Sequence, residues 1–230
     1  MIDRTLGREA GMRGSGVTRR DLLVGGWMTL TVLAFYHNFL FVHSTGLSYL
    51  YAFGAYGFGT VYARYDAVIR RLLVIGTIGG FIELLGDYFL VRIAETLVYP
   101  TGYPFLLRSP AYMPFAWAIL IAFMGYVALR FADRWGSLAA YIGPSAFAFV
   151  SESGYESFAS NGGGWVYTTA PLGWIGHAPL FIVIAEALMF ATSYYWVRRE
   201  WLTAGVGIGL TITVSYIVVY YLFALVGSLV

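Results

Sequence analysis

Two pairs of acidic residues interrupt apolar stretches of this sequence, and the members of each pair are four residues apart. Glu83 and Asp87 lie in "FIELLGDYF", and Glu152 and Glu156 lie in "FVSESGYESF". A spacing of four places both members of a pair on one face of a helix. A fifth acid, Glu186, lies in the apolar run "LFIVIAEALMF". Ionisable residues in such segments are functional candidates, because each costs about 2.5–3.5 kcal/mol to insert into a bilayer.

Carboxyl groups in an apolar pocket without a basic partner are expected to be neutral part of the time and to act as proton donors. The chain contains no lysine, and no arginine is near Glu83 or Glu186 in sequence. A neutral carboxylic acid beside aromatic rings suits protonation of a carbon–carbon double bond, because ring faces stabilise the carbocation that forms. We therefore predict an acid/base set of Glu83, Asp87, Glu152 and Glu186.

Polar and aromatic residues at a similar depth are predicted to complete the pocket. At about 1.5 Å per helical residue, they fall with the acids in the outer half of one bundle. The predicted substrate-binding residues are His37, Asn38, Tyr88, Tyr112, Trp117, Tyr155, Glu156 and His177. Glu156 is expected at the rim with Arg92 as its partner, whereas Trp165 and Tyr167 are expected in the interfacial aromatic belt.

A bundle of membrane helices is the element that must position these residues. Hydrophobic residues make up 59% and charged residues 11% of the chain, and the mean hydropathy of +0.71 is typical of a polytopic membrane protein. Windows of about 20 residues predict an all-α bundle of seven spans. These spans are 21–43, 46–63, 71–92, 110–131, 137–158, 175–197 and 202–228. The second span is the weakest, and a tilted or partly re-entrant helix stays open for it.

The distribution of arginine predicts the orientation of this bundle. With the N-terminus inside, twelve arginines fall on the cytoplasmic side, and only Arg92 and Arg108 fall on the other. The positive-inside rule then predicts a multi-pass protein of the cytoplasmic membrane, with a cytoplasmic arginine-rich segment at 1–20 and a transmembrane domain at 21–230. The motif "TRRDLLVGG" also fits a twin-arginine export signal, but the following run is long and lacks an A-x-A cleavage site, which favours a cytoplasmic anchor.

Spans three and four share a pattern with spans five and six. Each unit has an acid pair, an aromatic exit with Tyr99 or Tyr167, and Pro114 or Pro179 at the start of the return helix. Both units begin on the cytoplasmic side, so the pattern predicts a parallel repeat of two hairpins. Close helix packing is predicted where small residues are four apart, at Gly76 with Gly80 and at Gly205 with Gly209.

Composition excludes several classes of site. The chain has no cysteine, so it has no disulfide and no thiolate metal site, and without lysine it forms no retinal Schiff base. Its three histidines are too few for a histidine-rich metal centre, and the acidic half lacks the basic residues that bind a diphosphate. We predict no cofactor and no metal, although a mixed carboxylate–histidine metal site stays open.

The segment that follows Glu156 resembles the membrane carotenoid-biosynthesis hydratases of the bisanhydrobacterioruberin hydratase type. In that family an acid precedes a glycine-rich aromatic exit, and a glycine and a proline open the next apolar helix. The matching residues are Glu156, Gly164, Trp165, Tyr167, Gly176 and Pro179. A looser copy in the earlier unit consists of Glu83, Gly86, Tyr99, Pro114 and Trp117. The resemblance implies an integral-membrane enzyme that hydrates an isoprenoid.

The stretches "LVYPTGYPF" and "SYYWVRRE" are similar to parts of the small integral-membrane terpene cyclases. Those enzymes use one acid on each of two helices to protonate an isoprenoid, and the resemblance implies this role for Glu186 and for either Glu83 or Glu95. The predicted partners are a lipophilic small molecule and the lipid bilayer, and not nucleic acid. A homo-oligomer, a proton-coupled transporter and a non-catalytic subunit of a membrane complex stay open as alternatives.

Overall fold

The computed structural model describes residues 16–229, and these residues are mainly helical. The α-helices are α1 (Arg19–His37), α2 (Thr45–Ala63), α3 (Ala67–Tyr88), α4 (Met113–Trp135), α5 (Ser137–Asn161), α6 (Leu180–Ala191), α7 (Ser193–Val197) and α8 (Trp201–Gly227). A π-helical turn continues α1 over Asn38–Val42, and another continues α3 over Phe89–Ile93. The predicted all-α class is thus confirmed for the described residues. Most of the predicted segment 1–20 lies outside them.

Between residues 16 and 229, four helical segments are long and apolar enough to cross a membrane, which is typical of the membrane protein that the sequence predicts. They are Arg19–Val42, Met113–Trp135, Leu180–Val197 and Trp201–Gly227. The weakest predicted span is a continuous helix, α2, of 19 residues. The prediction for 175–197 was wrong at its start, because the chain turns in a short hairpin before the helix begins at Leu180.

Side-chain caps fix where several helices begin. The Thr18 hydroxyl accepts a hydrogen bond from the Asp21 amide, and the Asp21 carboxylate accepts one from the Thr18 amide, which forms a capping box at the start of α1. Asp21 also accepts hydrogen bonds from Tyr126 (2.6 Å) and Arg130 (3.0 Å) of α4. The cap of α1 therefore also attaches this helix to the end of α4.

Helix α3 packs closely against α4 and α8 through glycines, as predicted from their spacing. A Cβ atom on Gly76 or Gly80 would collide with the backbone carbonyl oxygens of Ala118 and Pro114 in α4. Side chains of α3 block the corresponding positions in α8, Ile78 at Gly205 and Ile82 at Gly209. The acids of α3 are thus carried by a helix whose distance from its neighbours is set by backbone contact.

The segments that join α3 to α4 and α5 to α6 have the same construction. Each contributes one short strand to a shared antiparallel pair, β1 (Leu97–Val98) with β4 (Val166–Tyr167). Each then forms its own hairpin, β2 (Phe105–Leu106) with β3 (Ser109–Pro110) and β5 (Trp174–Ile175) with β6 (Ala178–Pro179). Pro114, in the first turn of α4, and Pro179, at the N-cap of α6, both lie at the start of a return helix, as predicted. By hairpin register, the residue that corresponds to Pro179 is Pro110.

The shared strand pair lies on a local two-fold axis. Its register places Val98 of β1 opposite Val166 of β4. Each valine comes three positions after a residue in the left-handed backbone region, Glu95 with a φ of 53° and Gly163 with a φ of 72°. Val98 and Val166 are therefore corresponding positions that also pair with each other, which is the arrangement that two-fold symmetry requires.

Candidate functional site

A cavity of about 220 Å³ lies among α1, α3, α4, α5, α6 and α8. Along α4 it extends from Met113 to Met124, which is about 16 Å at 1.5 Å per residue. Most of its wall is apolar or aromatic, but four buried acids also line it: Asp87, Glu152, Glu156 and Glu186. The structure therefore brings acids from α3, α5 and α6 to one elongated apolar cavity.

Asp87 is held by the segment that follows its own helix. The Tyr99 hydroxyl donates to Asp87 Oδ2 over 2.8 Å, and the Ser109 hydroxyl donates to the same oxygen over 2.6 Å. Tyr99 follows β1, and Ser109 lies in β3. The α3–α4 segment thus folds back over the end of α3 and fixes the orientation of this carboxyl group.

Glu156 is held in a corresponding way by the segment that follows α5. The Trp165 indole N–H donates to Glu156 Oε2 over 2.9 Å, and the Tyr167 hydroxyl donates to the same oxygen over 2.6 Å. Glu156 is only 6% exposed, and its partners are these rings rather than Arg92, so its predicted place at the rim was wrong. Trp165 and Tyr167 are buried, and their predicted place in the interfacial belt was wrong because each supplies a donor to a buried acid.

Glu152 and Glu186 complete a compact group of acids with Glu156. One ligand oxygen from each of the three carboxyl groups lies within 4.8 Å of the other two. The Tyr216 hydroxyl of α8 donates to Glu186 Oε1 over 2.9 Å, and the Ser151 hydroxyl donates to Glu152 Oε1 over 3.3 Å. We call Glu152, Glu156 and Glu186 the acid triad.

Glu83, the other member of the predicted acid/base set, lies behind the cavity wall. Its side chain is fully buried, and neither carboxyl oxygen has a hydrogen-bond partner among the described residues. It is close enough to interact electrostatically with Asp87, Glu156 and Glu186. The five predicted acids therefore converge, although Glu83 has no surface on the cavity.

Aromatic rings line the cavity near the acids. Trp117 of α4 and Tyr216 of α8 meet edge to face, with ring centroids 6.5 Å apart. Tyr155 of α5 packs against Trp165 with centroids 5.9 Å apart. Two of the predicted aromatic residues, Trp117 and Tyr155, thus reach the cavity, and Trp165 and Tyr216 add rings that were not assigned to it.

Three residues predicted to bind substrate are on the outside of the bundle. His37 and His177 are exposed, and Tyr88 is 40% exposed. Tyr88 directly follows Asp87, so the helix turns its side chain about 100° away from that of the acid. His177 lies in the turn between β5 and β6, where its backbone N–H donates to the Ser157 hydroxyl over 2.8 Å. The structure therefore removes these residues from the candidate site.

Two further predicted residues are buried but serve local structure. The Asn38 amide donates to the Ser44 carbonyl and the Ser48 hydroxyl, both over 2.9 Å, and so closes the turn between α1 and α2. Tyr112 is 1% exposed, and its ring packs edge to face against Tyr49 at 4.9 Å. Neither side chain lines the cavity.

The cavity opens sideways between α1 and α5. Val32 of α1 and Phe147 of α5 both line it, yet they are 41% and 45% exposed. Towards the connecting segments the two helices meet through aromatic contacts, with the Tyr36 ring 5.2 Å from that of Phe158. The mouth is therefore a gap in the apolar flank of the bundle, and its rim consists of hydrophobic side chains.

Comparison with known protein families gives a match over more than half of the chain. Residues 84–223 match the model of a protein family described as "Domain of unknown function (DUF6989)". This region includes four of the five convergent acids, all except Glu83. No curated protein and no solved structure matches the chain.

Proposed function

The chain belongs to the DUF6989 family, whose function is unknown, and from the geometry of its cavity we propose that it is an integral-membrane enzyme. Its proposed reaction is protonation of a carbon–carbon double bond in a lipophilic, isoprenoid-type substrate, followed by hydration or cyclisation. The observation that carries this proposal is the placement of four buried acids on an elongated, aromatic-lined cavity whose mouth is apolar. A soluble, polar substrate would not match such walls.

Asp87 is the proposed proton donor. The hydrogen bonds from Tyr99 and Ser109 both end on Oδ2, which leaves Oδ1 to carry the transferable proton. Glu83 lies behind it, close enough to interact with it electrostatically. A neutral carboxylic acid that is fixed in this way can protonate a double bond placed against it.

The opposite part of the cavity supports the positive charge that this protonation creates. The ring faces of Trp117 and Tyr155 can stabilise a carbocation, and the carboxyl oxygens of the acid triad add negative charge. In hydration, water attacks the cation and then loses a proton to a carboxylate. In cyclisation, an internal double bond attacks, and a carboxylate removes a proton from the new cation. In both routes the enzyme accepts one proton for the one that Asp87 gave, and Asp87 must be reprotonated before the next turnover.

The lateral mouth fits a substrate that is dissolved in the bilayer. Val32 and Phe147 would contact lipid chains at this mouth, so a hydrophobic molecule could enter without crossing water. We propose that all seven long helical segments span the membrane, with the N-terminus in the cytoplasm and the two hairpins as a parallel repeat. The arginine distribution and the two-fold relation between the connecting segments support this topology.

The proposal is tested with purified protein, a panel of isoprenoids and deuterated water. We expect a hydrated or cyclised product that carries one deuterium from the solvent, and we expect Asp87→Asn to abolish it. Glu200→Gln, which changes an exposed acid that precedes α8 and does not line the cavity, is the control and should keep the activity. Folded protein that converts none of the panel, or an Asp87→Asn variant as fast as the parent, would refute the proposal. Substrate-driven proton flux in proteoliposomes would favour a transporter instead.

A further inference from the structure

We propose that the acid triad, Glu152, Glu156 and Glu186, is a binding site for a divalent cation. The three side chains are between 2% and 6% exposed, and one ligand oxygen from each lies within 4.8 Å of the others. Two of them come from α5 at a spacing of four residues, and the third comes from α6. A single ion placed among them could contact all three carboxyl groups.

The hydrogen bonds around the acid triad leave one oxygen of each carboxyl group free. Trp165 and Tyr167 donate only to Oε2 of Glu156, and Tyr216 donates only to Oε1 of Glu186. Ser151 donates only to Oε1 of Glu152. The opposite oxygens accept no hydrogen bond from the described residues. Uncharged donors that fix one side of a carboxylate and leave the other side open are the usual outer shell of a metal site.

Glu186 supplies an independent sign that a ligand is required. Glu186 lines the cavity and is only 2% exposed. Its Oε2 atom nevertheless has no hydrogen-bond partner among the described residues. A buried polar atom without a partner is rare in folded proteins, because its lost hydration is not replaced. A cation that is bound among the three acids would contact this oxygen and replace the missing partner.

Arginine side chains do not fill this role in the described part of the chain. Ion pairs in residues 16–229 join Arg20 to Asp66 and Arg130 to Asp21 and Asp133. All of these residues lie where α1 and α3 begin and α4 ends, at the opposite end of the bundle from the connecting segments. Within the described residues, the acid triad therefore accepts hydrogen bonds from neutral donors and from no guanidinium group.

The ligand set selects the chemical class of the ion. All three ligands are carboxylate oxygens, which favour hard cations such as Mg²⁺, Mn²⁺ and Ca²⁺ over ions that prefer sulfur or imidazole. His37 and His177 are exposed and away from the cavity, so the mixed carboxylate–histidine site that the sequence left open is not the one proposed. Three carboxylates around a divalent ion keep one net negative charge, which still attracts a carbocation. The cation site nevertheless stands independently of the proposed reaction.

Mn²⁺ is the probe for this site, because its bound and free forms are distinguished by electron paramagnetic resonance without any substrate. We expect one tightly bound Mn²⁺ per chain in the purified full-length protein. Glu152→Gln, Glu156→Gln and Glu186→Gln should each weaken this binding by about 10–100-fold or more. Glu95→Gln is the matched control for an acid on the surface, and it should bind Mn²⁺ as the parent does.

A second variant keeps the test decisive if the glutamine variants do not fold. Tyr216→Phe removes the hydroxyl that orients Glu186 but keeps all three acids, and we expect it to weaken Mn²⁺ binding by about 10-fold. Folded parent protein that binds no Mn²⁺ at millimolar concentration would overturn the proposal. Equal affinity in the parent and the glutamine variants would also overturn it, because the ion would then be bound elsewhere. Because no substrate is used, neither result bears on the proposed reaction.

Discussion

The contact between α3 and α4 gives the sharpest test of the fold that positions the acids. Gly80 lies against the carbonyl oxygen of Pro114, and a Cβ atom there would collide with that oxygen. The obstacle is backbone, so no side-chain rotation can relieve it, and Gly80→Ala must move the two helices apart. Gly57 of α2 has nothing within 4 Å of its Cβ position, so Gly57→Ala is a matched control with the same chemical change.

The two substitutions are expected to have different effects on stability. Replacing a helical glycine by alanine stabilises a helix by about 1 kcal/mol, and Gly57→Ala should show this gain. Gly80→Ala obtains the same gain but also suffers overpacking, which costs about 1–3 kcal/mol and occasionally more in a tight interior. We therefore expect Gly80→Ala to be about 1–3 kcal/mol less stable than Gly57→Ala.

Reversible unfolding in mixed micelles, followed by tryptophan fluorescence, measures this difference in the free energy of unfolding. Because Asp87 lies on the same helix two turns after Gly80, the displacement of α3 should also reduce the proposed activity. A Gly80→Ala protein as stable as Gly57→Ala would show that α3 and α4 are not in backbone contact. The depth assigned to the acids of α3 would then lose its basis.

Three further predictions follow from individual contacts. Glu95 and Gly163 both have a positive φ, a backbone conformation that costs a residue with a side chain about 1 kcal/mol relative to glycine. Glu95→Gly should therefore raise the free energy of unfolding by about 1 kcal/mol, and Gly163→Ala should lower it by about as much. Thermal unfolding of the two variants checks both signs. Tyr216→Phe should destabilise the protein by about 1 kcal/mol, since it removes the hydrogen bond to Glu186, and a smaller effect of Tyr216→Phe in a Glu186→Gln background would confirm the partner. Asp21→Asn should weaken the attachment of α1 to α4, which limited proteolysis before α1 would detect as faster cleavage.

Hydropathy predicted the helices well because each helix is apolar along most of its own length. Six predicted spans begin within four residues of a helix in the structure, and α2 is continuous despite its glycines and tyrosines. The error at 175–197 has a clear cause. The hairpin from Trp174 to Pro179 is as apolar as the helix after it, and hydropathy alone does not separate a short apolar strand from a helix.

The acids could be found from the sequence, but their hydrogen-bond partners could not. A carboxyl group in an apolar run is conspicuous because its burial is costly. Trp165 and Tyr167 carry both an apolar ring and a donor, and the same residue types are common at membrane interfaces. Their buried role depends on how the connecting segment folds back over α5, which the local sequence does not specify. One signal was present, since Tyr99 and Tyr167 had matching places in the two units.

The α3–α4 half and the α5–α6 half of the site correspond in position but differ in chemistry. This difference makes the two ends of the cavity chemically distinct. Asp87 and its tyrosine are 12 residues apart and Glu156 and its tyrosine are 11 apart, and the π-helical turn after α3 accommodates the extra residue. Seven residues after the matched prolines, however, α4 carries Trp117 whereas α6 carries Glu186. The first half therefore has one oriented acid beside a ring, and the second half has three acids. A substrate between them would receive a proton from the side of Asp87, and the positive charge that forms would be attracted towards the acid triad.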